Sequence, residues 1–288
     1  MKKLFLFITL TLVTAFAFSQ TKKVQPAASS MACCAKSATQ QFAMLTSNKK
    51  FVMSHALPKP FHFQSSIGKP VTYKTSDGKE STAYELKAKK PTNNYLIVVH
   101  EYWGLNDYIK KESERLYNDI GDVNVIAIDL YDGKVATTQQ DAGKYMQAVK
   151  DDRAQAIIKG AIAYAGPKAR IATIGWCFGG GWSLQASLLA GKQDVACVMY
   201  YGMPEQSVDK LKTLNADVLG NFANKDQWIN TKVVSKFEAD MKAAGKKLYL
   251  HQYDADHAFA NPSSPNADNE AAKKAYAYTI EYLKPRLK

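Results

Sequence analysis

Between residues 66 and 288 the chain alternates two apolar patterns. Continuous aliphatic and β-branched runs at 95–100, 123–130, 171–175, 195–201, 218–222 and 247–253 are separated by longer stretches at 108–118, 137–164, 180–189, 232–244 and 267–287, where apolar residues recur every three or four positions. Continuous runs suit strands buried on both faces of a parallel sheet, and the helical period suits the segments that cover them. The stretch 137–164 is broken near Asp151 and Asp152, and Gly166-Pro167 ends it. Two short strands, 70–74 and 81–88, flank the turn Ser76-Asp77-Gly78. Asn266 is the expected N-cap of the final helix. The pattern predicts an α/β fold: a mostly parallel central sheet, helices on both faces and right-handed crossovers. No internal repeat interrupts it.

Upstream, the pattern changes. Lys2 and Lys3 precede an apolar run from Leu4 to Phe18, followed by Ser19 and Gln20. This has the form of a secretory signal peptide, and the run is shorter than the roughly 20 residues of a membrane span. Residues 1–20 are therefore expected to be removed, leaving an exported protein, periplasmic or secreted, with no stable membrane span. Residues 21–65 are polar and weakly periodic, as in a linker or an N-terminal arm. The domain proper is expected at 66–288.

Composition narrows the function classes. With 46% hydrophobic residues in 288, the chain can bury a sizeable core. The formal charge of +12 falls to +10 without residues 1–20, but the lysines are scattered and no basic run is interleaved with aromatic platforms. That reads as a solvated surface, not a nucleic-acid site. Four cysteines are too few for an exported disulfide scaffold. Cys197, in an apolar run, reads as a core thiol, while the adjacent Cys33 and Cys34 could pair, bind a metal or do nothing. No C-x-x-C or His/Cys cluster is present, so neither a metal nor a cofactor is assigned.

Ligands of open α/β sheets bind beyond the carboxyl ends of strands. Glu101, Cys177, Asp226 and His257 all follow strand patterns. Cys177 lies in Gly175-Trp176-Cys177-Phe178-Gly179, the G-x-nucleophile-x-G arrangement in which a tight strand-to-helix turn lifts the side chain above the sheet. A helix N-terminus and an imidazole both favour a thiolate. His257 supplies the imidazole and Asp226 a carboxylate to hold its tautomer, in the chain order nucleophile, acid, histidine. His55, His62, His100 and His251 are assigned to packing or surface.

These residues make the chain from about 66 to 288 resemble the dienelactone hydrolase family, a cysteine branch of the α/β-hydrolases. The resemblance rests on His100-Glu101-Tyr102-Trp103-Gly104-Leu105-Asn106, Asp129-Leu130-Tyr131, the elbow through Gly180, and Asp256-His257-Ala258-Phe259. The separations, 49 residues from Cys177 to Asp226 and 31 from Asp226 to His257, also suit it. It implies a Cys177, Asp226, His257 triad that hydrolyses an ester or lactone through an acyl-enzyme. The backbone N–H groups of Tyr102 and Phe178 would serve the oxyanion, and Glu101 would pair with the resting nucleophile. Trp103, Trp176 and Asn261 are assigned to the substrate pocket, with Phe178, Trp182 and Trp228 as further aromatic candidates. Family members acting on dienelactone carry arginine where this chain has Asn261, and for a second substrate arginine the chain offers Lys144 or Arg153 without clear alignment. The competing expectation is a non-catalytic, ligand-binding member of the fold.

Overall fold

The computed structural model describes Met1 and residues 36–288, so the expected signal peptide and the Cys33-Cys34 pair lie outside the described residues. In chain order the elements are α1 (Ala38–Ala43), α2 (Lys49–Ser54), β1 (Lys69–Lys74), β2 (Glu80–Leu86), β3 (Asn94–Val99), α3 (Asp107–Ile120), β4 (Asn124–Ile128), α4 (Gln139–Ala148) and α5 (Asp151–Ala165). There follow β5 (Arg170–Trp176), α6 (Phe178–Ala190), β6 (Asp194–Tyr200), α7 (Val208–Leu211), β7 (Val218–Ala223), α8 (Thr231–Ala243), β8 (Leu248–Tyr253) and α9 (Asn269–Leu283).

The eight strands form one sheet in the order β1-β2-β4-β3-β5-β6-β7-β8. β1 and β2 are antiparallel to each other and β2 to β4; the rest are parallel. This is an α/β-hydrolase fold. The central strands β3, β4 and β5 are buried almost throughout, as their unbroken apolar runs require. From β3 the chain first adds β4 on one side and then β5 on the other. The crevice between the ends of β3 and β5 is thus a topological switch point, the place where such sheets bind ligands.

Local chemistry sets most element ends. Asn106 caps α3 through the N–H of Ile109, and Asn230 caps α8 through Lys232 and Val233. The helical stretch 137–164 divides after Ala148 because Val149 and Lys150 are extended, and Asp151 and Asp152 then occupy the first turn of α5, where the helix dipole favours them. The final helix begins later than its pattern suggested. Its cap is Asp268, which accepts from Glu270 and Ala271, because turns from Asn261 to Ala267 keep the preceding chain out of helical geometry. Asn266 instead donates to the carbonyl of His257 at 3.2 Å.

Residues 36–54 carry two capped helices. Ser37 and Gln40 form a capping box on α1, and Asn48 caps α2. Phe42 and Phe51 are buried, and Gln139 of α4 donates to the carbonyls of Val52 at 3.1 Å and His55 at 2.8 Å, tying the end of α2 down. Among the described residues, no helix is long and apolar enough to cross a membrane.

Candidate active site

The turn from β5 into α6 needs its glycines. A Cβ on Gly175 would lie 2.1 Å from the Gly179 carbonyl oxygen, and one on Gly179 would lie 2.4 Å from the carbonyl oxygens of Val99 and His100. Between them Cys177 has φ 55° and ψ −120°, a conformation costly for a residue with a side chain. Its N–H donates to Tyr200 on β6 at 3.0 Å, which holds the turn in place.

Three predicted side chains meet here. His257 Nε2 lies 3.4 Å from Cys177 Sγ, and His257 Nδ1 lies 2.6 Å from Asp226 Oδ2. The other carboxylate oxygen of Asp226 accepts from the N–H groups of Trp228 at 2.8 Å and Ile229 at 2.9 Å. Burial disfavours the Asp226 charge, but His257 and those amides outweigh it and hold the carboxyl below its usual range. Burial likewise opposes charge on His257, but the Asp226 carboxylate, joined by the sulfur once it is ionised, outweighs it and favours the imidazolium, raising the His257 pKa well above its ordinary value. Burial pushes the Cys177 thiol up, against the pull of His257. His257 Nε2 is thus placed to hold the proton that the sulfur gives up, with Asp226 bracing the imidazolium from Nδ1.

The β3 exit loop is fixed by buried polar groups. His100 Nε2 accepts from the Leu130 N–H at 3.1 Å, which leaves Nδ1–H to donate to the Glu101 carbonyl at 2.8 Å. Tyr131 donates through its hydroxyl to the Tyr102 carbonyl at 3.2 Å. Among the described residues the Tyr102 N–H has no backbone acceptor, and the Phe178 N–H is at the first position of α6, where helical amides lack intrahelical partners. Burial pushes Glu101 up to about 7. It does not rest on the thiol: its Oε2 accepts from Asn261 Nδ2 at 3.0 Å.

Beside Glu101 opens a cavity of about 430 Å³, lined among others by Trp103, Trp176, Asn261, Ile109 and Arg115. Trp182 is core, 1% exposed, and Trp228 packs edge-on against Phe51 and His257. Cys177 itself is wholly buried, with His55, at the end of α2, against its sulfur. His55, assigned from sequence to packing or surface, is indeed buried, but its Nε2 is 3.7 Å from Cys177 Sγ. Its Nδ1 lies 2.7 Å from the Phe51 carbonyl. Burial, aided by neighbouring His257, lowers its pKa to about 3, so it is neutral.

Residues 82–287, well over half the chain, match the model of the dienelactone hydrolase family. The chain belongs to that family. Its relatives include carboxymethylenebutenolidase 1 of Cupriavidus pinatubonensis, 26% identical over 72% of this chain and 96% of that one. Another is the protein usf of Aquifex pyrophilus, 29% identical over 67% of this chain and 88% of that one. Similar solved structures include a dienelactone hydrolase from Anabaena variabilis, with TM-score 0.58, 15% identity and coverage of 81% of this chain and 100% of that one. A dienelactone hydrolase-like promiscuous phosphotriesterase from metagenomic libraries has TM-score 0.66 and 17% identity over 77% of this chain and 99% of that one.

Within the dienelactone hydrolase frame, two substrate-arginine candidates fall away from the cavity. Arg153 is bound to Asp132 at 2.6 Å and Asp77 at 3.1 Å, and neither it nor Lys144 lines the cavity. The cations that do are Lys111 and Arg115 on α3, the latter with its guanidinium 3.4 Å from the centre of the Tyr276 ring. Sequence could not single them out, since α3 carries charges along its whole exposed side. His55 was equally hidden: 122 residues separate it from Cys177, and no motif marks it.

Proposed function

We propose that this dienelactone hydrolase family member is an exported hydrolase of small esters or lactones, working through Cys177, His257 and Asp226 and an acyl-enzyme. The reading is carried by the chain of contacts from Sγ to Nε2 at 3.4 Å and from Nδ1 to the carboxylate at 2.6 Å, built on a strained elbow. His257 takes the thiol proton as sulfur attacks the acyl carbon, and Asp226 stabilises the imidazolium. The N–H groups of Tyr102 and Phe178 receive the developing oxyanion. The imidazolium returns its proton to the leaving oxygen, and the same base then activates water against the thioester. Export rests on the basic, then apolar, pattern of residues 1–20.

Hydrolysis of a short p-nitrophenyl ester tests the reading: a burst of product in the wild type, lost in Cys177→Ala, is expected. Equal rates in the two proteins would overturn it. The complete burial of Cys177 favours one other reading, a ligand-binding member with silent chemistry. Absence of a burst together with resistance of the native thiol to alkylation would select it.

A further inference from the structure

The hydrolytic reading uses one of the two imidazoles that flank the sulfur. Cys177 Sγ, His257 Nε2 and His55 Nε2 all lie within 4.8 Å of one another, and all three residues are buried. The sulfur lies 3.4 Å from one ring nitrogen and 3.7 Å from the other. A cation with Zn–S near 2.3 Å and Zn–N near 2.0–2.1 Å in tetrahedral geometry places its sulfur and nitrogen ligands about 3.5 Å apart. Both histidines are oriented as metal ligands are: Nδ1 of His257 is on the Asp226 carboxylate and Nδ1 of His55 on the Phe51 carbonyl, so each turns Nε2 inward. Rings from α1, α2 and the loops, Phe42, Phe51, Tyr102 and Trp228, enclose the group.

We propose that α2 brings His55 to the Cys177–His257 pair to complete a three-ligand site for a thiophilic divalent cation, Zn2+ above the oxygen-preferring Mg2+ and Ca2+, and that filling it silences the nucleophile. On binding, the S–H bond breaks, its proton leaves to solvent, and the sulfur's electron pair forms the bond to the cation. The two imidazoles give neutral lone pairs, any proton on His257 Nε2 leaving as well. The buried Asp226 carboxylate offsets the remaining positive charge. The site stands on geometry alone; only its inhibitory consequence rests on the hydrolytic reading.

Titrating the reduced full chain with Co2+, a spectroscopic stand-in for Zn2+, reads the site directly. One equivalent should produce a thiolate-to-cobalt charge-transfer band with the visible bands of a four-coordinate site, and one equivalent of Zn2+ should abolish both. Cys177→Ala should remove the charge-transfer band, and His55→Ala should weaken binding by about 100-fold, Asp226→Asn by about 10-fold. His55→Gln serves if the alanine variant misfolds, and His55→Cys, which restores a ligand, should recover binding. Zn2+ should inhibit ester hydrolysis by the wild type and spare His55→Ala. No cobalt band, a band of undiminished affinity in His55→Ala and His55→Gln, or a band lost on Cys33→Ser/Cys34→Ser would overturn the site. Should ester hydrolysis prove absent, the cobalt spectra would still decide the metal site.

Discussion

Cys177 is held by its backbone before its side chain does anything. A positive φ at a non-glycine residue persists only where the surroundings dictate it, and here the close approach of Gly175 and Gly179 and the bond to Tyr200 do so. The identity of the atom then matters. Sulfur can be deprotonated by a single oriented imidazole at a helix terminus, whereas a hydroxyl needs stronger assistance. Cys177→Ser is expected to fold with unchanged thermal stability and lose ester hydrolysis by on the order of 100-fold; full activity would place the nucleophile elsewhere. The cavity makes a second residue-scale prediction. Arg115 lines it where neither Arg153 nor Lys144 does, so Arg115→Ala should raise KM several-fold for lactones bearing a carboxylate and leave neutral esters unaffected. Equal effects on both substrates would remove Arg115 from recognition.

The decisive element is α2, six residues whose sequence predicts little. Phe51 is wholly buried, its ring 4.4 Å from that of His55 and 5.1 Å from that of Trp228 between centroids. Removing a buried phenylalanine costs about 3–5 kcal/mol. Because α2 is short and joined to the rest at the rim, much of that loss should appear as local opening. Each 1.4 kcal/mol is tenfold, so Phe51→Ala should speed alkylation of Cys177 by roughly 100-fold or more. An unchanged alkylation rate would show that α2 does not control access to the thiol. By contrast, β5 and α6 were readable beforehand, because a β-branched run ending in spaced glycines has few other ways to fold. The start of α9 was not: Asn266 and Asp268 are both competent caps, and the turns from Asn261 onward chose between them.

For the molecule as a whole, the buried carboxyl of Glu101 makes stability depend on pH. Its folded pKa, raised to about 7 by burial, exceeds the ordinary value of 4.5. Between those values the native state binds more protons than the unfolded chain, so this group's contribution is fully present below pH 4.5 and is lost as pH rises to about 7. Asp194, likewise raised to about 7 by burial, acts in the same direction, while neutral His55, lowered to about 3, acts oppositely on the acid side. The comparison of wild type with Glu101→Gln isolates one group. Between pH 4.5 and 8 the variant should gain about 3 kcal/mol on wild type in urea unfolding; parallel stability profiles would contradict the assignment.

What the sequence determined by itself is what depends on neighbours along the chain. Apolar runs and periods specify strands and helices, and the glycines around Cys177 specify the elbow. The position of Cys177, Asp226 and His257, each just after a strand, specifies which end of the sheet they share. Tertiary structure decided what depends on distant segments meeting. It brought the end of α2 against the sulfur, set His55 beside His257, gave Glu101 to Asn261 instead of the thiol, and put Arg115 rather than Arg153 in the cavity. Those outcomes follow from how helices and loops pack over the carboxyl ends of the strands, where side chains far apart in sequence compete for the same few ångströms, and no local pattern records who wins.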